Sequence, residues 1–423
     1  MKTSTIRYSL LTNAPPMRWF LFLLSALVLS CGGGGANYAG VGTGGTGLKE
    51  GNVTGFGSVF IDGVRYDNSQ AKVQVNDGSA ALIPGLLKLG QRVRAQFNDA
   101  GQVDNLEILP ALVGSVDQAP DAQGYFMVMG QWVRFVSKTL PYQGTLSSST
   151  YLDGYRSFTG IAAADIVEVH GSWFSADPSK GQVLVASRIE KIAVMPERML
   201  ITGTVASVNP SDNSFRLKAA DGREVTGAST QAHVGDWLKT WVSTTQIPIW
   251  SLANPVAAST HSTVSLPKAH NQTDAVVVVS GLPEQFDPID NSVRIQGFLV
   301  RLQPSNLTAA NRAALQSGIF SSFTLRLNAQ SGSWIVQDIT SREGDSLGGL
   351  TSFVLKNDFG ALLASGVTVQ NNGVNIQISQ HLLQGSGCLT LLAGSTFTVT
   401  VTGSPEGSDV QADTLVCQPD KPP

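Results

Sequence analysis

Residues able to do acid–base, nucleophilic or metal chemistry are sparse in this 423-residue chain. The five histidines are His170, His233, His261, His270 and His381. None stands beside a Cys or a carboxylate at a spacing that builds a zinc site. No G-x-S-x-G elbow presents a serine nucleophile, and Ser147-Ser148-Ser149-Thr150 reads as loop. Asp62, Asp67 and Asp104 fall at turns or strand ends, where Asp is common for structural reasons. Two carboxylates meeting in a cleft between modules would make a hydrolase, as in glycosidases. The sequence singles out no catalytic residue, no metal ligand set and no cofactor. Cysteine is the more informative type, at positions 31, 388 and 417. With Cys31 otherwise engaged, an oxidising compartment favours pairing Cys388 with Cys417, the alternative being two buried free thiols. Closing that loop contributes about 3–4 kcal/mol on the chain-entropy account.

Aromatic residues offer a second kind of chemistry. Trp132, Trp173, Trp237, Trp241, Trp250 and Trp334 are spread along the chain, with Tyr125, Phe135 and Phe174 nearby. Aromatic faces stack on sugars or bases, and the same side chains also fill the cores of small barrels. Charge narrows the ligand class. Residues 1–30 carry three basic and no acidic side chains, so their removal leaves 25 basic and 31 acidic residues, a net charge of −6. Such a chain lacks the basic field of a nucleic-acid binder, which leaves an envelope glycan or a protein as the partner.

The first thirty residues read as a secretory leader. Lys2, Arg7 and Arg18 are its only charges, and an apolar run follows from Trp19 to Leu29. That run is shorter than the ~20 residues a membrane-spanning helix needs. The cut site, Val28-Leu29-Ser30-Cys31, resembles the lipobox of bacterial lipoproteins, in which the Cys thiol takes a diacylglyceryl group before cleavage. The resemblance implies membrane attachment through lipid on Cys31. Gly32, in the place where an Asp favours inner-membrane retention, implies the outer membrane, facing the periplasm or the cell surface. Residues 31–51 are Gly-rich and read as a flexible tether. Their two G-x-G-x-x-G matches lack the flanking strand and helix of a phosphate loop.

Beyond the tether, period-two alternation points to an all-β protein. Strands with a Gly-x-Val core open successive units, at Thr54–Val59, Val113–Val116 and Thr202–Val208. Val277–Gly281 opens a fourth. The turns 209–213 and 287–291 combine Pro, Asp and Asn, which suits a reversal between paired strands. Each unit closes on two further strands, as in Gln91–Ala95 with Gln102–Ile108, and Thr396–Val401 with Asp409–Leu415. Short helical patches lie between opening and closing strands, clearest in Ser305–Gly318 and weaker in Ala80–Leu89 and Phe158–Ala164. Three strands, a short helix and two strands is the order of an OB-type barrel. The expected division is a leader over 1–30, a tether over 31–51 and a tail over 419–423. Between them lie about five small OB-like β-barrel modules: 52–110, 111–195, an irregular 199–273, 275–342 and 349–418.

The opening Gly55-Phe56-Gly57-Ser58-Val59-Phe60-Ile61-Asp62-Gly63-Val64, following a Cys-Gly-rich start, resembles bacterial cell-envelope lipoproteins built from a repeated domain of unknown function. The likeness is strongest over 53–109, fair over 112–194 and loose thereafter. It implies tandem β-barrel modules and carries no catalytic residue. The resulting expectation is a lipid-anchored string of modules acting as a binding or structural scaffold. The alternative is a glycan-binding protein or carbohydrate-active hydrolase with its site between modules.

Overall fold

The computed structural model describes residues 47–76, 83–141, 149–177, 179–263, 276–327, 334–341, 351–356, 367–386, 388 and 397–419. The leader 1–30, Cys31, the tether as far as Thr46, Ser147, Ser148, His270 and the tail 420–423 lie outside the described residues. The described chain is mostly β. No helix in it is long and apolar enough to cross a membrane.

The first stretch holds strands β1 (Leu48–Phe56), β2 (Val59–Ile61), β3 (Val64–Tyr66), β4 (Lys72–Val75), β5 (Ile83–Pro84), β6 (Arg92–Phe97) and β7 (Val103–Ile108). Strand β1 pairs antiparallel with β2 and with β6, β2 with β3, and β6 with β7. A parallel β4–β7 pairing, together with the Val103 N–H donated to the Asp67 carbonyl at 2.8 Å, completes the circuit. The tether therefore ends sooner than its composition suggests. Leu48–Gly51 are strand, held on one side by Val93–Gln96 and on the other, over Leu48–Glu50, by Val277–Val279.

The second stretch forms a small closed five-strand barrel. It contains β8 (Leu112–Gln118), β9 (Tyr125–Val128), β10 (Gln131–Arg134), β11 (Tyr151–Asp153), β12 (Ile166–Asp177) and β13 (Gly181–Lys191). The ring runs β8–β9–β10–β13–β12 and back to β8, antiparallel throughout except for the parallel β10–β13 pair. Strand β11 adds to β13 as an extra parallel edge. Alternation explains the filling: Phe126, Val128, Val133, Val167, Val169 and Leu184 are fully buried inside.

Strands β14 (Arg198–Asn209), β15 (Ser214–Lys218), β16 (Glu224–Ala228), β17 (Trp237–Ser243) and β18 (Val256–Thr263) pair in the same order, with β16–β18 parallel. The sequence predicts an irregular module over 199–273. Val256–Thr263 is instead a strand that completes the ring, its polar surface residues masking the alternation. The turn 209–213 sits between β14 and β15 as its Pro-Asp-Asn content predicts.

The fourth stretch is β19 (Val276–Gly281), β20 (Pro283–Asp287), β21 (Ser292–Ile295), β22 (Phe298–Arg301), β23 (Ser321–Leu327) and β24 (Trp334–Ser341). Leu282 breaks β19 from β20, and the order again closes through a parallel β22–β24 contact. The expected helix here is Ala309–Gln316, capped by Thr308, whose hydroxyl accepts the Asn311 N–H at 3.1 Å. The last stretch is β25 (Thr351–Lys356), β26 (Val367–Asn371), β27 (Val374–Ile378), β28 (Phe397–Glu406) and β29 (Asp409–Pro419). It pairs β25–β28, β28–β29, β26–β27 and, in parallel, β27–β29. A short helix spans Gln380–Gly385, and a disulfide joins Cys388 to Cys417 with Cα atoms 5.6 Å apart.

These stretches do not follow one another like beads. Strand β1 pairs in parallel with β19 of the fourth and β25 of the fifth, so the first stretch sits against both. Gly55 permits the second contact, because a Cβ there would lie 1.6 Å from the Ser352 carbonyl oxygen. Leu152 and Tyr151 of the second stretch bond the fifth, through Leu152 N–H to the Gly407 carbonyl and Tyr151 O–H to the Ser408 carbonyl, both at 2.9 Å. Val136, Phe174 and Val185 of the second pack with Leu282 and Phe320 of the fourth.

Candidate functional site

Charge collects where the stretches meet. Glu50 on β1 is 3% exposed and receives Nε and Nη2 of Arg92 at 3.1 and 3.0 Å on one oxygen. Arg94 donates Nη2 to its other oxygen at 3.0 Å. Burial alone would push the Glu50 carboxyl up, but Arg92, Arg94 and Lys239 together hold it below the usual carboxylate range. Arg92 also donates Nη2 to the Ser280 carbonyl at 2.8 Å, tying the first stretch to the fourth. Beside it, Lys49 meets Asp62 at 2.7 Å and donates to the Ser280 hydroxyl at 2.5 Å. Asp62, expected at a turn, is fully buried there and also accepts the Asn52 N–H at 2.9 Å.

The first and second stretches are joined in the same manner. Arg188, 1% exposed, donates Nη1 to the Leu89 carbonyl at 2.8 Å and pairs with Asp153 and Glu190. Lys88 pairs with Glu190, and Ser187 donates to the Gly90 carbonyl at 2.6 Å. His170, wholly buried, accepts the Arg92 N–H at Nδ1 (3.3 Å) and sits 2.7 Å from Glu168 Oε1 through Nε2. An acceptor at Nδ1 and a carboxylate at Nε2 fit the neutral ring protonated on Nε2. His233 is exposed beside Asp236, and His381 is exposed on its helix. Among the described residues no group of three His, Cys, Asp or Glu side chains is placed to hold a metal ion.

A cavity of about 230 Å³ opens within this junction. Its walls come from four stretches: Glu50, Arg92, Arg94 and Glu107 from the first, Trp173 from the second, Trp237, Lys239 and Trp241 from the third, and Gln296 from the fourth. Of these residues Arg92 and Gln296 are 3% and 7% exposed, while the side chains of Arg94 and Glu107 keep 20% and 28% exposure. Lys239 donates Nζ to the Pro110 carbonyl at 2.9 Å, and burial with Arg94 and Arg92 nearby brings its ammonium down to about 8 despite Glu50 and Glu107. Two buried donors in the walls, Arg92 Nη1 and Gln296 Nε2, have no hydrogen-bond partner among the described residues. Gly281, the opening glycine of the fourth stretch, makes the room Gln296 fills: a Cβ there would stand 2.4 Å from Gln296 Nε2.

The tryptophans divide. Trp173 and Trp237 pack 5.1 Å apart, and both line the cavity with Trp241. Trp250 is buried, its indole N–H donated to the Glu224 carbonyl at 2.9 Å under Arg223, and Trp132 and Trp334 are half-buried. Tyr125 lies beneath Arg134, Phe135 stacks on Phe158 at 4.7 Å, and Phe174 joins the apolar contact with the fourth stretch. No described tryptophan is fully exposed. The carboxylates singled out from sequence have local roles. Asp67 accepts the Ser69 N–H at 3.0 Å and a Gln102 amide N–H at 2.9 Å; these bonds hold its carboxyl below the usual range. Asp104 accepts from Asn98 at 3.0 Å. Thr150 accepts the Val136 N–H and donates to the Ala186 carbonyl, closing its loop onto the barrel. Glu50, Arg92, Lys239 and Gln296 were not foreseen. Lys49-Glu50, the only charged pair in an otherwise uncharged Gly-rich run, is the signal that marks the first of them. No family model matches this sequence, and no curated protein matches it.

Proposed function

We propose that this is a lipid-anchored envelope protein, a binding or structural scaffold of five tandem OB-type barrels docked around the first. The leader, the lipobox-like Val28–Cys31 and the resemblance to envelope lipoproteins support the anchor and an outer-membrane address. The recurring strand order, with a parallel third–fifth pairing, supports the modular reading. The observation that carries the scaffold role is the set of buried bonds between modules: Arg92 and Lys49, held in the first by Glu50 and Asp62, donate to Ser280 of the fourth, and Arg188 of the second donates to the Leu89 carbonyl of the first. Buried charges tolerate little displacement of their partners, so they hold neighbouring modules in one relative orientation. A rigid frame suits a component that presents or spaces other envelope parts.

A second reading is favoured by one feature: three tryptophans line the inter-module cavity, and tryptophan faces bind sugars. The cavity is then a glycan site rather than a hydrolase centre. Its two carboxylates, Glu50 and Glu107, both face Arg94 at 3.0 and 3.5 Å and act as counter-ions. The anchor is tested by substituting Cys31→Ser and following lipid labelling and precursor size. Loss of label with retention of the precursor is expected; normal processing contradicts the anchor. Pull-down of the mature protein against envelope extracts, with glycans and proteins both identified, tests the scaffold and binding role. Recovery of a defined partner is expected, and recovery of neither class counts against it.

A further inference from the structure

We infer that the cavity at the meeting of the first four barrels binds an acidic saccharide, with the sugar carboxylate at Arg92 and Gln296 and the ring against the tryptophan wall. This rests on the glycan-binding reading above and names its ligand class.

Three observations carry it. The first is charge. The cavity gathers Arg92, Arg94 and Lys239 against Glu50 and Glu107, one cation more than anions, inside a chain whose net charge is negative. A local cationic surplus in an acidic protein is a site for an anion. The second is unused hydrogen-bonding capacity. Arg92 spends Nε and Nη2 on Glu50 and on the Ser280 carbonyl, leaving Nη1 buried without a partner. Gln296 Nε2 is equally buried and equally without one. A buried donor left unsatisfied is costly, and two in one set of walls describe the place of a missing acceptor. A carboxylate has two oxygens and accepts from two donors at once.

The third observation is shape. The cavity shares the wall of Asn76, Pro110 and Trp241 with a neighbouring cavity of about 360 Å³ lined by Glu168, Glu197 and Arg198, so the cationic surplus belongs to the first cavity alone. Together they fall within the range of about 300–1,000 Å³ usual for ligand sites, whereas the first alone is smaller. Trp241 lines both, so a saccharide longer than one ring can contact it from either cavity. The donors belong to different modules, Arg92 to the first and Gln296 to the fourth, and the aromatic wall to the second and third. The site therefore exists only while the modules hold their arrangement.

The test is titration of the full chain with galacturonate, digalacturonate, galactose, digalactose and acetate, followed by tryptophan fluorescence and calorimetry. Digalacturonate is expected to bind most tightly, to perturb the tryptophan signal, and to lose about tenfold in affinity in Gln296→Leu and in Lys239→Met. Unchanged circular dichroism in each variant shows that the fold survives. Saturable binding of digalactose as tightly as digalacturonate overturns the acidic assignment while leaving a glycan site. Acetate competing as strongly as digalacturonate reduces the site to an anion pocket and overturns the saccharide. Binding of no saccharide overturns both this inference and the glycan reading.

Discussion

The interior of the barrel over 112–191 and the charged groups beside Glu50 on β1 are both buried, yet they are made of opposite materials. The first is apolar: Phe126, Leu152, Val169, Leu184 and Ile189 are fully buried, and alternation along each strand puts them there. The second is ionic: Glu50, Arg92, Lys49, Asp62 and Arg188 are each below 5% exposed. Apolar packing is non-directional and forgiving, so it can close a barrel from many sequences. Buried charges are directional and penalise displacement: Glu50 and Asp62 hold Arg92 and Lys49 in place within the first stretch, and the bonds those two donate to Ser280 fix how it sits on the fourth. The difference separates two tasks, folding a module and orienting it.

Substitutions can break that comparison at several strengths. Glu50→Ala removes the anion shared by Arg92 and Arg94, taking from Arg92 the carboxylate it pairs with and leaving Arg94 with Glu107, an expected cost of about 3–5 kcal/mol. Urea unfolding should show the transition lowered and its cooperativity reduced as modules come apart. Phe215→Ala, in the core of the third barrel, should cost a similar ~3–5 kcal/mol but keep its effect within that barrel. Equal loss of inter-module coupling in both variants would erase the distinction.

A smaller, pH-dependent effect belongs to Glu284. It is 2% exposed on β20, accepts the Gly297 N–H at 2.7 Å and leaves its other oxygen without a hydrogen-bond partner. Burial raises its carboxyl to about 8, with the Gly297 N–H, Arg294 and Arg92 opposing. A folded value above the unfolded one means the contribution to stability is complete below about pH 4.5 and is lost as pH rises through about 8. Glu284→Gln should therefore raise the melting temperature at pH 8.5 by several degrees and change it little at pH 4.5. A gain of equal size at both pH values would show that Glu284 is not the titrating group. Smallest of all, Arg216→Ala removes a 2.9 Å pair with Glu224 on an exposed surface, where the expected change is below about 1 kcal/mol. A large loss there would mean that burial is not what separates the two classes of ion pair.

Much of the strand pattern was legible because alternation is a local signal. The later opening strands, the turns at 209–213 and 287–291 and the closing pairs lie where period and turn chemistry put them, whereas the first opener expected over Thr54–Val59 is β1, which starts at Leu48 and ends at Phe56 before a turn at Gly57-Ser58. The last strand of the third barrel was hidden, because Ala257, Ser259, Thr260 and Ser262 blur the contrast between its two faces. The junction was hidden for a different reason. Arg92 and Ser280 are far apart in sequence, and the parallel β1–β19 pairing brings their stretches together. No window of sequence contains both. Glu50 was also masked by its surroundings, since glycine-rich composition reads as tether while backbone pairing with Val93–Gln96 and Val277–Val279 makes it strand.

The central claim is that the modules pack around the first rather than following one another as a string. Small-angle scattering from the chain after residue 31 measures this directly. Docked modules predict a radius of gyration close to the roughly 21 Å of a compact chain of this size, raised slightly by the tether. A value of roughly 35–40 Å, as for barrels placed end to end, would contradict the account.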